Sequence, residues 1–131
     1  MPSIFSKIIN GEIPSYKILE DELTLAILTI EPIQLGHTLV IAKQEIDHFI
    51  DVDDATLQQV ILNAKKIGRA LYQVTGCQRI GTAVVGFEVA HFHHHVIPME
   101  HPSDLDFLKA RPRTKDEMHQ MQEKILNALS S

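Results

Sequence analysis

Apolar and polar positions repeat along this chain with two periods, one typical of strands and one typical of helices. Four runs rich in β-forming residues predict strands at 23–30, 37–43, 77–85 and 88–98. Pro32 and Gly36 mark a loop between the first two runs, and Gly86 marks a break between the last two. A further extended segment is expected after Pro14.

The clearest helix is predicted over residues 54–72. Its apolar positions recur at the three- and four-residue spacing of a helix with one buried face. These positions are Leu57, Val60, Ile61, Ala64, Ile67, Gly68 and Leu71. Asp51, Asp53 and Asp54 are candidate N-caps, and Gly76 follows the expected end of the helix.

Two shorter helices complete the pattern. Residues 4–9 predict an amphipathic helix that breaks at Asn10 and Gly11, and residues 115–129 predict a C-terminal helix that opens from Thr114. Strands lie before and after one long helix, with few chances for a βαβ alternation. The sequence therefore predicts an α+β domain built on an antiparallel sheet.

Composition narrows the class of protein. With 131 residues and 44% hydrophobic content, the chain is expected to form one domain over 1–131. A net charge of −5 with scattered Lys and Arg lacks the basic face of a nucleic-acid-binding protein. The lone cysteine, Cys77, excludes an intrachain disulfide and a four-cysteine zinc site. No apolar run approaches bilayer length and the N-terminus lacks a signal-peptide core, so we expect a cytoplasmic protein without a membrane partner.

The stretch "AHFHHHVIP", residues 90–98, holds four of the chain's eight histidines. If it is a strand, His91, His93 and His95 share one face at steps of about 6.5 to 7 Å. Such a row can bind a metal, act as nucleophile and proton-transfer groups, or only fill hydrogen-bonding positions. All three span about 13 to 14 Å on a straight strand, too far for one ion. Two of them together with His37, His101 or Glu88 remain an alternative metal site.

The same residues carry a family resemblance. "HFHHHVIP" resembles the His-x-His-x-His signature of the histidine triad (HIT) superfamily, and the segment from "IFSKIINGEIPSY" to "LGHTLVIAK" is similar to the Hint-like branch. The resemblance covers about residues 3–100 and leaves 101–131 as a C-terminal loop and helix. It implies a HIT-like fold with an antiparallel sheet of about five strands, one long helix and a C-terminal helix. It also implies a homodimer through which the sheet continues.

The resemblance also implies the chemistry. Family members cleave a bond at the α-phosphorus of a nucleotide, commonly a purine one, through a nucleotidyl-histidine intermediate and without a catalytic metal. By motif position, His93 would be the nucleophile, and His95 would bind phosphate and donate a proton to the leaving group. His91 would hydrogen-bond to the active-site backbone, and His37 would be the fourth histidine of the relay. Neutral imidazole is a good nucleophile near its usual pKa of about 6.5.

Several positions depart from the family pattern. Phe87 and Glu88 stand where an amide and a hydroxyl usually contact phosphate, and Thr29 stands where an acidic residue often contacts ribose. Ser3 and Ser6 stand where some relatives carry a zinc-binding cysteine pair, so structural zinc is not expected. Candidate nucleotide and phosphate contacts are Ile30, Thr29, Glu88, the backbone N–H of Val89, and His95. His94 is expected to point to the opposite sheet face, partly exposed or hydrogen-bonded.

The sequence therefore predicts a HIT-type enzyme, without a cofactor or metal, that acts on a nucleoside phosphoramidate or a related nucleotidyl ester. Two alternatives stay open. One is a metal-dependent hydrolase that uses the histidine cluster. The other is a nucleotide-binding module with little catalysis, which the side chains of Phe87 and Glu88 motivate.

Overall fold

A five-stranded antiparallel sheet forms the centre of the computed structural model, which describes residues 2–131. The helices are α1 (Ile4–Ile9), α2 (Asp54–Thr75) and α3 (Lys115–Leu129), and the strands are β1 (Tyr16–Glu20), β2 (Thr24–Leu28), β3 (Thr38–Ala42), β4 (Arg79–Ala83) and β5 (His93–Met99). The strand order is β1-β2-β3-β5-β4, and all neighbours are antiparallel. The α+β prediction is confirmed, and no helix within 2–131 is long and apolar enough to cross a membrane.

Helices cover both faces of this sheet. On one face, α2 and α3 pack over a core that includes Val40, Ile67 and Ile125. On the other face, Phe5 and Ile8 of α1 pack against apolar residues of β2 and β3. Burial on both faces explains why every residue of β2 and β3 is buried and why their sequences are nearly continuous apolar runs.

An N-cap side chain and a C-terminal glycine determine where the long helix α2 begins and ends. The Asp53 carboxylate accepts a hydrogen bond from the Thr56 N–H, and Gly76 ends the helix with a positive φ of 65°. The helix continues to Thr75, three residues beyond the predicted end, because no breaker precedes Gly76. Ile61 was predicted on the buried face, but it is 47% exposed, so that prediction is wrong. Its side chain lines a surface groove between α2 and β4.

The histidine segment differs from the predicted strand. Strand β5 begins at His93, so the prediction that residues 88–92 are strand is wrong. The backbone N–H groups of His91 and Phe92 donate to the carbonyls of Val89 and Ile46, outside the sheet ladder. His91 therefore lies in a bend before the strand, while His93 and His95 share one face of it.

Candidate active site

Two neighbouring strands and the loop before one of them bring three of the four predicted catalytic histidines together. In the β3–β5 pair, Ile41 lies opposite His93 and Leu39 lies opposite His95. His37 directly precedes β3, and its ring centroid lies 5.1 Å from that of His95. The His93 and His95 rings are 4.9 Å apart, so the three imidazoles form one cluster.

The cluster opens into a cavity of about 560 Å³. That volume lies within the range of about 300 to 1,000 Å³ that is usual for small-ligand sites. Both apolar walls and carboxylates line it: Ile4, Phe5, Thr29, Glu31, His37, Leu39, Val85, Gly86, Phe87, Glu88, Val89, His93, His95, Phe107 and Ala110. Phe5 packs edge-on against His93 with ring centroids 4.8 Å apart, and Phe107 does the same against His95 at 4.8 Å. The reactive rings are thus held between two phenyl rings.

The His93 ring has one defined tautomer. Its Nδ1 lies 2.7 Å from the backbone carbonyl oxygen of His91. A carbonyl can only accept a hydrogen bond, so Nδ1 carries the proton and Nε2 keeps a free lone pair. Burial lowers the pKa of His93 below its usual value, while the His91 carbonyl and the Glu88 carboxylate oppose this shift. The ring is therefore neutral at neutral pH, with an unprotonated Nε2.

The tautomers of His37 and His95 follow from one backbone amide. The N–H of Ile33 donates to His37 Nδ1 at 3.1 Å, so the proton of His37 sits on Nε2. His37 Nε2 donates to His95 Nδ1 at 2.9 Å. His95 is therefore left with its proton on Nε2, where it is free to donate to a bound oxygen or nitrogen.

Burial keeps both of these rings neutral. Removal from water, with a smaller effect of the neighbouring imidazoles, lowers the pKa of His37 to about 4 and that of His95 to about 3. In the free protein His95 is therefore a neutral N–H donor rather than an imidazolium. A bound phosphate would raise its pKa, because a nearby negative charge favours the protonated ring.

His91 is fully buried and does not line the cavity. Its Nε2 lies 2.6 Å from the carbonyl oxygen of Ala42, and its Nδ1 lies 2.6 Å from Ser3 Oγ. The side chain thus holds the backbone, and the contact with His93 is made by the carbonyl of His91 rather than by its ring.

The predicted nucleotide contacts are only partly brought together. Thr29, Glu88 and Val89 line the cavity, whereas Ile30 is 68% exposed and lies outside the lining. Phe5 and Phe107 come from distant segments and were missed as site residues, because no local motif marks them. Glu31 was also missed, although it lies two residues after Thr29 and its carboxylate faces the same space.

His94 points away from the site, as strand alternation predicts, but neither predicted environment is correct. It is only 7% exposed, and neither ring nitrogen has a hydrogen-bond partner within the described part of the chain. The ring lines the groove between α2 and β4. Burial lowers its pKa below the usual value. Across residues 2–131, no three His, Cys, Asp or Glu side chains are arranged to hold a metal ion.

The fold and the histidine cluster define a histidine triad protein, and comparison with known proteins agrees. The sequence model of the HIT domain matches residues 10–102, and the chain belongs to this family. An uncharacterized HIT-like protein from Borreliella burgdorferi is 45% identical over 102 residues, which cover 72% of this chain and 73% of that protein.

Two further relatives are a protein named as an enzyme and a protein of known crystal structure. A Schizosaccharomyces pombe protein named adenosine 5′-monophosphoramidase is 36% identical over 75% of this chain and 74% of its own length. The crystal structure of a HIT-like protein from Bartonella henselae superposes with a TM-score of 0.84 at 30% identity, covering 96% of this chain and 95% of that one. The five-stranded HIT fold is thereby confirmed.

Proposed function

We propose that this protein cleaves a bond at the α-phosphorus of a nucleoside phosphoramidate, or of a related nucleotidyl ester, through a nucleotidyl-His93 intermediate. The observation that carries the proposal is the pair of complementary Nε2 atoms on one face of β5. His93 offers a lone pair because its Nδ1 donates to the His91 carbonyl. His95 offers an N–H because its Nδ1 accepts from His37. A nucleophile next to a proton donor is the minimum that displacement at phosphorus requires.

In the first step, the His93 Nε2 lone pair forms a bond to phosphorus while the bond to the leaving nitrogen breaks. The leaving nitrogen keeps that electron pair and takes the Nε2 proton of His95, which the bound phosphate favours in its imidazolium form, so His95 is left neutral. In the second step, water attacks phosphorus, the bond to His93 breaks, and the proton of the water returns to His95 Nε2. The sum is hydrolysis to a nucleoside monophosphate and an amine, with both histidines restored.

The cavity suits a nucleotide whose phosphate lies at His93 and His95. The Val89 N–H and Thr29 hydroxyl are proposed to contact phosphate and ribose, and the exposed Ile30, outside the lining, is proposed to contact the base, with a purine preferred. His37 acts through His95, which it holds in the donor tautomer. The name of the fission-yeast relative supports an adenosine phosphoramidate as the first substrate to test.

Intact-protein mass spectrometry during turnover of adenosine 5′-phosphoramidate tests this proposal. Metal-free wild-type protein in excess chelator should carry an adenylyl adduct, and the His93→Ala variant should carry none and turn over negligibly. Near-normal turnover by His93→Ala would refute the mechanism. Activity that needs added metal would favour the metal-dependent alternative, and tight nucleotide binding without turnover would favour a binding module.

We also propose that a second copy of this chain pairs with β4 and continues the sheet. Strand β4 is an edge strand with a neighbour on one side only. Beside it lies a groove of about 490 Å³, lined by apolar residues such as Ile61, Tyr72 and Ile80 and by the buried His94 ring. An open strand edge next to exposed apolar side chains is a natural surface for self-association.

Light scattering after size-exclusion chromatography tests the dimer. The wild type should elute at twice the chain mass, and the double variant Ile61→Asp, Tyr72→Asp should elute as a monomer because its charges enter the interface. Leu108→Asp, at a residue 85% exposed and outside the groove, is the matched control. A monomeric wild type at all concentrations would overturn this part of the proposal.

A further inference from the structure

The N-terminus of α1 reaches the histidine segment across 88 residues of sequence. Ser3 is the N-cap of α1, and its Oγ accepts a hydrogen bond from the Ser6 N–H at 3.0 Å. The same Oγ lies 2.6 Å from Nδ1 of His91, which is fully buried. One hydroxyl therefore connects the start of a helix to the residue whose carbonyl holds the nucleophile.

The direction of this hydrogen bond follows from its neighbours. The Ala42 carbonyl can only accept, so the proton of a neutral His91 sits on Nε2. Nδ1 of His91 is then an acceptor, and the hydroxyl hydrogen of Ser3 is the donor. The oxygen of Ser3 still has lone pairs for the Ser6 N–H, so all of these groups are satisfied together.

A carboxylate holds Ser3 in this position. The backbone N–H of Ser3 and the hydroxyl of Ser6 both donate to Glu45 Oε1, at 2.8 and 2.6 Å. These two bonds lower the pKa of Glu45 below its usual value, which keeps the carboxylate ionised. The bond from the Ser3 N–H holds the backbone of Ser3 directly, and with it the position of the Ser3 hydroxyl.

We propose that Ser3 is a positioning residue of the active site. By donating to Nδ1 it leaves the proton of the neutral His91 ring on Nε2, and this anchors the His91 peptide against Ala42. The anchored carbonyl of His91 keeps the proton of His93 on Nδ1 and leaves Nε2 free for attack. The inference rests on the proposed function for its catalytic consequence, whereas the tautomers themselves can be measured without turnover.

The first experiment reads the tautomers by long-range proton–nitrogen correlation spectra of isotope-labelled imidazoles. In the wild type at about pH 7.5, His91 should be in the Nε2–H form and His93 in the Nδ1–H form. Ser3→Ala should leave His91 Nδ1 without its donor, loosen the His91 carbonyl and so mix the His93 tautomers. Ser3→Thr keeps the hydroxyl and should restore both rings. Unchanged tautomers in Ser3→Ala would overturn the proposal.

Ser6→Ala is the matched control. It removes a hydroxyl from the same helix turn and a hydrogen bond to the same Glu45 carboxylate, but it leaves the Ser3–His91 bond in place. If the N-terminus had a purely structural role, Ser3→Ala and Ser6→Ala would change the imidazole tautomers and kcat to the same extent. Thermal unfolding of both variants separates loss of folding from loss of position.

The second experiment measures steady-state turnover of adenosine 5′-phosphoramidate. Ser3→Ala should lower kcat by about tenfold or more with KM changed less than about twofold, because positioning acts on the transition state. Ser3→Thr and Ser6→Ala should behave as wild type, and a normal kcat in Ser3→Ala would overturn the catalytic part. If the wild type itself fails to turn over, the proposed function fails, while the spectra still decide the role of Ser3.

Discussion

His37 Nε2 lies 2.9 Å from His95 Nδ1, and the backbone N–H of Ile33 decides which of the two rings donates. A His95 ring protonated on both nitrogens would place two N–H groups against each other at this contact. His37 therefore opposes the charged form of His95, in addition to the effect of burial. The low pKa of His95, about 3, thus comes first from burial and next from His37.

Replacing His37 by Phe should raise the pKa of His95 from about 3 toward its usual value, because the opposing N–H disappears while part of the burial remains. His37→Gln is the matched variant, since its amide can accept from Ile33 and donate to His95. Nuclear magnetic resonance titration of the His95 ring checks both. An unchanged pKa in His37→Phe would show that burial alone depresses it.

The buried ring of His94 makes the free energy of unfolding depend on pH. Its folded-state pKa is lowered, so below the unfolded value of about 6.5 the unfolded chain binds a proton that the folded chain excludes. Stability from this group is therefore complete above about pH 6.5 and is lost as the pH falls toward the folded-state pKa. His37, His93 and His95 contribute in the same direction.

His94→Leu should remove this contribution and two buried nitrogens without partners. Near pH 7.5, we expect the free energy of unfolding of the variant to exceed that of wild type by about 1 kcal/mol. When the pH is lowered to about 5, the variant should lose less stability than wild type does. Urea unfolding at fixed protein concentration measures both values. His48→Leu, whose side chain is 70% exposed, is the control. Equal pH slopes in His94→Leu and wild type would contradict the argument.

Gly36 allows the loop before His37 to approach α2 closely. Its φ is +104°, and a Cβ there would lie 2.9 Å from Cδ2 of Leu71. Gly36→Ala should therefore destabilise the protein by about 2 to 4 kcal/mol, by combining backbone strain with overpacking. It should also lower turnover, because His37 is displaced.

Gly11→Ala separates these two costs. Gly11 also has a positive φ, +82°, but nothing lies within 4 Å of its added Cβ. It should cost about 1 to 2 kcal/mol from strain alone and leave turnover unchanged. Equal losses in the two variants, measured by urea unfolding, would mean that contact with Leu71 is unimportant.

The sequence predicted what local patterns encode. The periodicity of α2 and the caps at Asp53 and Thr114 place two helices correctly, because hydrogen bonds close in sequence determine where a helix begins. Alternation placed His93 and His95 on one face and His94 on the other. These predictions need only neighbours in the chain.

What the sequence missed depends on distant contacts. His91 leaves the strand pattern because Phe92 donates to the Ile46 carbonyl, a partner that no local rule identifies. The phenyl walls Phe5 and Phe107 come from opposite ends of the chain. The tautomer of His91 is equally nonlocal, since it is set by the carbonyl of Ala42, 49 residues away in the chain. The family motif supplied roles for the histidines, and the geometry supplied the groups that fix their protons.

Glu88 places a carboxylate in the same cavity as the proposed phosphate site, where it raises the pKa of His93 against the effect of burial. Glu88→Gln should remove repulsion of the substrate phosphate and lower KM for adenosine 5′-phosphoramidate by about threefold to tenfold at low salt, with a smaller effect at high salt. It should also lower the pKa of His93 and shift the acid limb of the kcat/KM profile to lower pH, since the neutral nucleophile then persists further into acid.

Glu31→Gln is the control, because Glu31 lines the same cavity but does not contribute to the His93 pKa shift. It should leave the acid limb in place, whatever it does to KM. If Glu88→Gln instead raises KM, the carboxylate binds the substrate rather than repelling it. A positively charged leaving group would then be the preferred substrate, and comparison of phosphoramidates with charged and neutral amines would measure that preference directly.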